Sequence, residues 1–283
     1  MNSLPSISIV INTFNEEQNL PFALRSVQNW ASEIIVVDMH SDDSTVDIAR
    51  QFGAKIYFYE RLGFADPARA FAISQATKDW ILILDADEII LPQLCTKLIS
   101  IIEENKYDVI MIPRLNYFLG SPLKYSRLGP HQDKHARLFR KGCLKTSSNI
   151  HNFLHPLPNA RIFELPYIPN EAIVHFNYIN ISHFIERMNR YTSIEAQQAR
   201  ARGEKATSFR IIFKIAKEFL GRYFIYQGYR DGWRGIYLSL FMVFYHLTTF
   251  AKLTELNTIG TGEEIKDIYH RQAEQWLDAY NNE

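Results

Sequence analysis

Apolar residues in the first ninety positions fall in short unbroken runs separated by polar stretches. Residues 7 to 11, Ile-Ser-Ile-Val-Ile, form a β-rich run that stops at Asn12-Thr13-Phe14-Asn15-Glu16-Glu17, before a helix-like stretch from Leu20 to Trp30. Ile34-Ile35-Val36-Val37 is a second run, ending at Asp38; Ser41-Asp42-Asp43-Ser44-Thr45 then opens a helix from Val46 to Phe52. The pattern continues with a strand at Lys55 to Tyr59, a helix near Asp66 to Ala76, and the run Trp80-Ile81-Leu82-Ile83-Leu84. Near-continuous apolar strands alternating with helices predict a parallel sheet covered on both faces. A helix from Pro92 to about Asn105 and a strand from Tyr107 to Pro113 follow, while 114 to 180 has weak periodicity and is rich in His, Pro, Asn and aromatics. Such stretches commonly supply the acceptor side of a site, on loops held by a rigid sheet.

The fourth of these runs, Trp80 to Leu84, delivers three acids, Asp85, Asp87 and Glu88, to its carboxyl end. That edge is where open α/β sheets bind ligands. A carboxylate is costly to bury alone, so acids there face a cation or a hydrogen-bonding ligand, or they cap the next helix and face water.

From Ser182 the chain turns helical, with Phe184, Met188, Tyr191 and Ile194 at helical spacing. Between Arg200 and Arg234 nine Lys or Arg stand against three acids, interleaved with aromatic and aliphatic residues. Gly235 to Ala251 then runs seventeen residues without a formal charge, at the lower edge of a spanning length. A basic, aromatic-rich amphipathic unit beside a hydrophobic one fits a segment lying on an anionic bilayer. It equally fits a helical pair packed on the catalytic domain or in a dimer. The division expected is 1–180 for the sheet domain and 181–283 for a helical region.

Composition narrows the classes. With 283 residues, 47% of them hydrophobic, the chain has ample material for a core. Its 31 basic and 31 acidic residues cancel, so no global field favours nucleic acid. Cys95 and Cys143 are far apart and lack metal-ligand spacing, which suits a reducing compartment. The first charged side chain is Glu16, so the amino terminus lacks the positive start of a secretion signal. A cytoplasmic location, or the cytosolic face of the inner membrane, is expected.

Ile9-Val10-Ile11-Asn12-Thr13-Phe14-Asn15-Glu16-Glu17, then Glu33 to Asp38 with Ser41 and Asp43, then Leu84-Asp85-Ala86-Asp87-Glu88 resemble family 2 glycosyltransferases of the GT-A fold, most nearly the lipopolysaccharide core and envelope glycan branch. Arg69, Asn116-Tyr117-Phe118-Leu119-Gly120, Asp133 before Arg137-Leu138-Phe139-Arg140, His175-Phe176 and Asp231-Gly232-Trp233-Arg234-Gly235 continue the resemblance in family order. It implies a Rossmann-like, mostly parallel sheet with flanking helices and a C-terminal helical extension. It also implies a metal-dependent, inverting sugar transfer of hexosyltransferase type, from a nucleotide sugar, UDP-linked, to an envelope glycan or lipid-linked acceptor.

The resemblance implies that Asp87 holds a Mg²⁺ or Mn²⁺ ion, with His175 as a second ligand and Asp85 at the donor ribose or assisting the metal. Such an ion neutralises charge developing on a departing diphosphate. Thr13, Phe14 and Glu16 resemble positions contacting base and ribose, whereas Glu17 suits a helix start. Asp38 can accept from a uracil imide or cap its own loop, and Arg69 can pair with the pyrophosphate or form a surface salt bridge. Arg137 and Arg140 bind phosphates or anchor the fold. An inverting transferase needs a base for the acceptor hydroxyl. Here the family's His-Glu pair is replaced by Ile150-His151-Asn152, and an amide is no base. His151, His155 and Asp133 are the acceptable bases; Asp133 is preferred because its surroundings match, with His151 next.

Two rivals stand beside this reading. The Asn152 departure supports a non-catalytic sugar-nucleotide-binding scaffold of an envelope assembly complex. A nucleotidyltransferase would need a glycine-rich phosphate loop near the start, and the first glycine is Gly53.

Overall fold

A computed structural model describes residues 6–61, 66–146 and 154–278. Its centre is a ten-stranded sheet. Strands β1 (Ile7–Thr13), β2 (Glu33–Asp38), β3 (Lys55–Phe58) and β4 (Trp80–Asp85) lie parallel in the order β3-β2-β1-β4. Helices α1 (Leu20–Val27), α2 (Thr45–Gln51) and α3 (Asp66–Gln75) connect them, as the alternating runs predict.

Side-chain alternation assigns the two faces. Ile7, Ile9, Ile11, Leu82 and Leu84 pack with Leu20 and Leu24 of α1, whereas Val10, Ile35, Val37, Ile81 and Ile83 pack with Ala68 and Ala72 of α3 and with Ala76 just beyond it. Helix α4 (Pro92–Glu104) opens on a proline that needs no amide partner and ends at Asn105, whose left-handed φ of 55° closes its last turn.

The middle of the chain carries more strand than its weak periodicity suggests. Beyond β5 (Glu88–Ile90), strand β6 (Val109–Phe118) runs five residues past the expected end at Pro113. Short β7 (Ser121–Pro122) pairs with it. Strand β8 (Lys134–Arg140) lies antiparallel between β4 and β6. Short β9 (Leu144–Thr146) and β10 (Leu154–Pro156) form a separate pair, β11 (Ile162–Glu164) joins β6, and β12 (Ile173–Tyr178) bridges β6 and β5. The excursion to β8 and back places β5 and β12 beside the carboxyl end of β4.

Helices α5 (Ile181–Ala201), α6 (Ser208–Leu220), α7 (Trp233–Thr258) and α8 (Gly262–Asp278) follow, with a π-helical turn at Gly221–Ile225 and a 3-10 turn at Gly228–Asp231. Phe184 and Met188 of α5 meet Leu238 and Tyr245 of α7 around Phe118 and Leu123, so the helices share a core with the end of β6. Two sequence motifs interlock there. The Asp231 carboxylate accepts from the Lys124 and Tyr125 amides and the Ser126 hydroxyl, and Arg234 donates to the Leu119 carbonyl.

Gly235 lets α7 approach: a Cβ there would run into the Gly228 carbonyl, with the Asp231 side chain 3.2 Å away. Gly235→Ala is expected to destabilise by about 2–3 kcal/mol through overpacking, read as a lower urea midpoint. An unchanged midpoint rules out a tight joint here.

Candidate active site

Parallel register aligns the carboxyl ends of β1, β2 and β4, setting Thr13 beside Asp38 and Asn12 beside Asp85. Thr13 and Asp38 have no exposed surface. Asp38 accepts from the Thr13 hydroxyl at 2.9 Å, the Ser41 amide at 2.8 Å and the Ser41 hydroxyl at 2.6 Å. Of the two roles the sequence leaves open, loop capping is the one visible, and any influence on a base passes through Thr13 and Ser41.

The loops after β1 and β2 are laced together. The amides of Asn15, Glu16 and Glu17 donate to Ser41, Thr45 and Asp43. Glu17 does sit at a helix start, but at that of α2, accepting from the Ser44 amide. Phe14 lies under the Arg61 guanidinium, 3.8 Å from its ring centre. Glu16 bonds Asn19. Burial, partly opposed by that bond and reinforced by the charge of Asp87, pushes its carboxyl up to about 7.

At the end of β4 the three acids have separate fates. Asp85 is clamped by Arg69 at 2.6 Å and Arg137 at 2.8 Å. Burial favours its neutral form, but Arg137 and Arg69 overcome this and hold the carboxyl well below the usual range. Arg69, expected at a pyrophosphate or in a surface salt bridge, here forms a half-buried pair with Asp85. Glu88 is wholly buried and accepts from Arg137 at 2.8 Å and from the Asp85 amide at 2.9 Å, with Arg114 at 3.4 Å.

Asp87 has a different neighbour, His175 on β12. The register that sets His175 opposite Glu88 brings its Nε2 to 3.4 Å from the Asp87 carboxylate. Burial raises the Asp87 pKa, and the imidazole more than reverses the effect, leaving it lowered. The other ring nitrogen, Nδ1, lies 2.6 Å from Asn116 Oδ1. Asn116 has no freedom in this contact, because its Nδ2 already donates to Asp133 at 2.6 Å and to the Leu128 carbonyl at 2.8 Å. Nδ1 must therefore carry the proton. In a neutral ring the Nε2 lone pair then points at a carboxylate, an arrangement that is relieved by protonation or by a cation between them.

Asp133 is nearly buried and accepts from Arg114 at 3.0 Å, from Asn116, and from His135 Nε2 at 2.7 Å. Burial is again outweighed, here by Arg114 and His135, and its pKa falls far below the usual value. That makes Asp133 itself a weak proton acceptor. His135 stands 45% exposed on the same face of β8 as Arg137. His151 lies outside the described residues, and His155 sits on β10 in the small two-stranded pair. Arg140 stacks over Trp80, away from Asp85 and Asp87.

The Asp85, Asp87, Glu88 and Asp133 carboxylates meet the Arg69, Arg114 and Arg137 guanidiniums, which leaves one negative charge over. Among the described residues Asp87 is the acid of this set without a guanidinium hydrogen bond. No cluster of three or more His, Cys, Asp or Glu side chains able to hold an ion occurs among the described residues. The two donors at Asp87 and His175 would suit a hard divalent cation, and Asn116 orients the imidazole as such a ligand requires.

Sequence reasoning gave no role to Asn12, Asn116 as an individual residue, Arg114 or His135. The Asn12 amide is buried at the β1 edge with neither end hydrogen-bonded. A polar side chain at a strand's carboxyl end is the signal that could have singled it out.

Residues 8–156 match the model of glycosyl transferase family 2. The chain is 29% identical over 276 residues to an uncharacterized glycosyltransferase of Rickettsia typhi, covering 94% of this chain and 92% of that protein. It is 25% identical over 275 residues to the lipopolysaccharide core biosynthesis glycosyltransferase LpsC of Rhizobium meliloti, covering 92% of this chain and 96% of that one. Among solved structures, S. aureus TarS 1-349 in complex with UDP shares 20% identity over 66% of this chain and 64% of its own, with a TM-score of 0.46. The chain spans 39% of a longer TarS chain. The family match extends over more than half of the 283 residues and contains β1 to β4 with the Asp85 and Asp87 turn: this chain is a glycosyltransferase belonging to glycosyl transferase family 2.

Proposed function

We propose that this glycosyltransferase moves a sugar, with inversion, from a UDP-sugar to an envelope glycan or lipid-linked acceptor at the cytosolic face of the inner membrane. The observation that carries the reading is the Asp87 and His175 pair, its ring tautomer fixed by Asn116, at the carboxyl edge of the sheet. Asp87 and His175 would hold Mg²⁺ or Mn²⁺, which supplies positive charge to the leaving diphosphate.

Everything else falls to the chain's own side chains. The uridine sits along the β1 and β2 loops, where Asp38 sets Thr13 and Ser41, Phe14 offers an aromatic face, and Glu16 is within reach of the ribose. Asn12 turns its unbonded amide toward the donor. Asp85 fixes Arg69 and Arg137, so their charge is already oriented when the diphosphate arrives. The name of the LpsC relative supports an envelope glycan acceptor.

We place proton acceptance on His135, with Asp133 as its positioning residue. Asp133 accepts the Nε2 proton, so the Nδ1 lone pair of the exposed ring is open to an acceptor hydroxyl. His135→Gln is expected to lower kcat about a hundredfold or more, with unchanged UDP affinity and loss of the acidic limb of the kcat profile. His151→Gln, measured alongside, discriminates between the two imidazoles: a loss confined to His151→Gln moves the role there.

Calorimetric titration with UDP and Mn²⁺, followed by UDP release with cell-envelope acceptors, tests the whole reading. Absence of Mn²⁺-dependent UDP binding sinks it.

A further inference from the structure

We infer that α6 and α7 form a docking face that lies flat on an anionic bilayer, α6 presenting a basic edge to the lipid head groups. The activity proposed above supplies a reason to be at a membrane, but the face is argued from the helices alone. On α6, Phe209, Ile212, Phe213 and Leu220 recur at helical spacing on one side and all are exposed, Phe209 by 79%. On α7, Trp233, Tyr237, Leu240, Phe244 and Leu247 make a second continuous stripe, each between 42% and 51% exposed. At about 1.5 Å per residue that stripe runs about 20 Å. Stripes of this length and size on a water-facing helix mark an interaction surface.

Charge selects the occupant. Arg210, Lys214 and Lys217 project together from the flank of the α6 stripe, about 100° around the axis. Arg210 is held by Glu204 at 3.1 Å, but among the described residues no carboxylate pairs with Lys214 or Lys217, and the buried Glu218 on the opposite side is taken by Arg222 at 2.5 Å. Unpaired cations beside an aromatic stripe fit anionic head groups. Trp233 and Tyr237, amphipathic rings stacked edge to face, suit the same depth.

Helix α7 is long and apolar enough to cross a membrane, but its other face forbids it. Tyr245 donates to Glu195 of α5 at 2.7 Å, and the Lys252 ammonium is ringed by Asn189, Thr192 and Ser193 of α5. Crossing would pull α5, with Glu186, Arg187 and Arg190, into hydrocarbon. Docking parallel to the surface leaves α5 in water.

Flotation of the full chain with phosphatidylcholine vesicles, with and without one-third phosphatidylglycerol, tests this. The wild type should float with anionic vesicles and be released by 1 M salt. Lys214→Glu/Lys217→Glu and Phe213→Glu/Leu220→Glu should each cut the bound fraction about tenfold, without changing UDP release in solution. Lack of flotation by the wild type, or flotation of both variants equal to the wild type's, overturns the proposal. So does a dimer in sedimentation that Phe213→Glu/Leu220→Glu dissolves, since a second copy then owns the face. Flotation without UDP release leaves the docking face standing and removes the proposed activity instead.

Discussion

Asp87→Ala is expected to lower metal-supported sugar transfer about a thousandfold or more, about 4 kcal/mol of barrier, while the protein remains folded. The turnover loss follows from what Asp87 does not touch. Asp85 and Glu88 are paired with Arg69 and Arg137, and Asp133 with Arg114, whereas the ion-pair neighbour of Asp87 is the His175 imidazole, whose lone pair points at it. Removing that carboxylate removes the one negative charge the guanidiniums leave uncompensated, and with it the attraction for a divalent ion. The fold survives because no guanidinium loses a hydrogen-bonded partner, and His175 keeps its bond to Asn116. UDP release across a Mn²⁺ titration, with a urea midpoint on the same sample, checks both halves. Full activity in this variant overturns the metal assignment; a collapsed midpoint shows that Asp87 is structural instead. Asp85→Asn provides the contrast, since it strips a partner from both Arg69 and Arg137 and should cost stability first.

The division between legible and illegible parts of the chain follows burial chemistry. β1, β2 and β4 announce themselves because both faces are covered, so their runs are apolar without interruption and their ends are marked by the first polar residue. The candidate residues at those ends, Thr13, Asp38, Asp85 and Asp87, are therefore easy to single out by position, while the roles of Thr13 and Asp87 come from the family resemblance. β6 hides itself because Arg114 and Asn116 stand where a strand pattern calls for apolar side chains, and both are committed to ion pairs and amide bonds that only the fold assembles. β8 hides for the same reason at Arg137. The roles of Asp38 and Arg69 had two readings each because a buried acceptor and a ligand contact require the same residue type; the partner decides, and the partner is 3 residues away for Asp38 and 16 for Arg69. His135 escaped because an imidazole two positions from an aspartate has no meaning until the strand puts both on one face.

Arg137→Met is expected to destabilise the folded chain by about 3–5 kcal/mol at pH 7, because it breaks a buried ion network from one side. Glu88, without solvent contact, keeps the Asp85 amide and, as a cation, only the longer approach of Arg114, and Asp85 keeps Arg69 as its only guanidinium. The pH dependence gives the mechanism away. In the wild type the Asp85 carboxyl titrates well below its usual value, so it contributes stability above the unfolded pKa and loses it as pH falls. In the variant burial acts with less opposition and the folded pKa of Asp85 moves above the ordinary carboxylate range, so the penalty opens above the low wild-type folded value and is complete only once the pH exceeds the variant's. The gap between variant and wild type should therefore shrink from pH 7 to pH 4.5, measured as urea midpoints. A gap of the same size at both values means lost packing around the arginine stem, and the charge argument fails. Glu88→Leu added to Arg137→Met discriminates further: replacing both members by apolar groups removes the stranded charge and should recover part of the loss, which a packing defect alone has no reason to show.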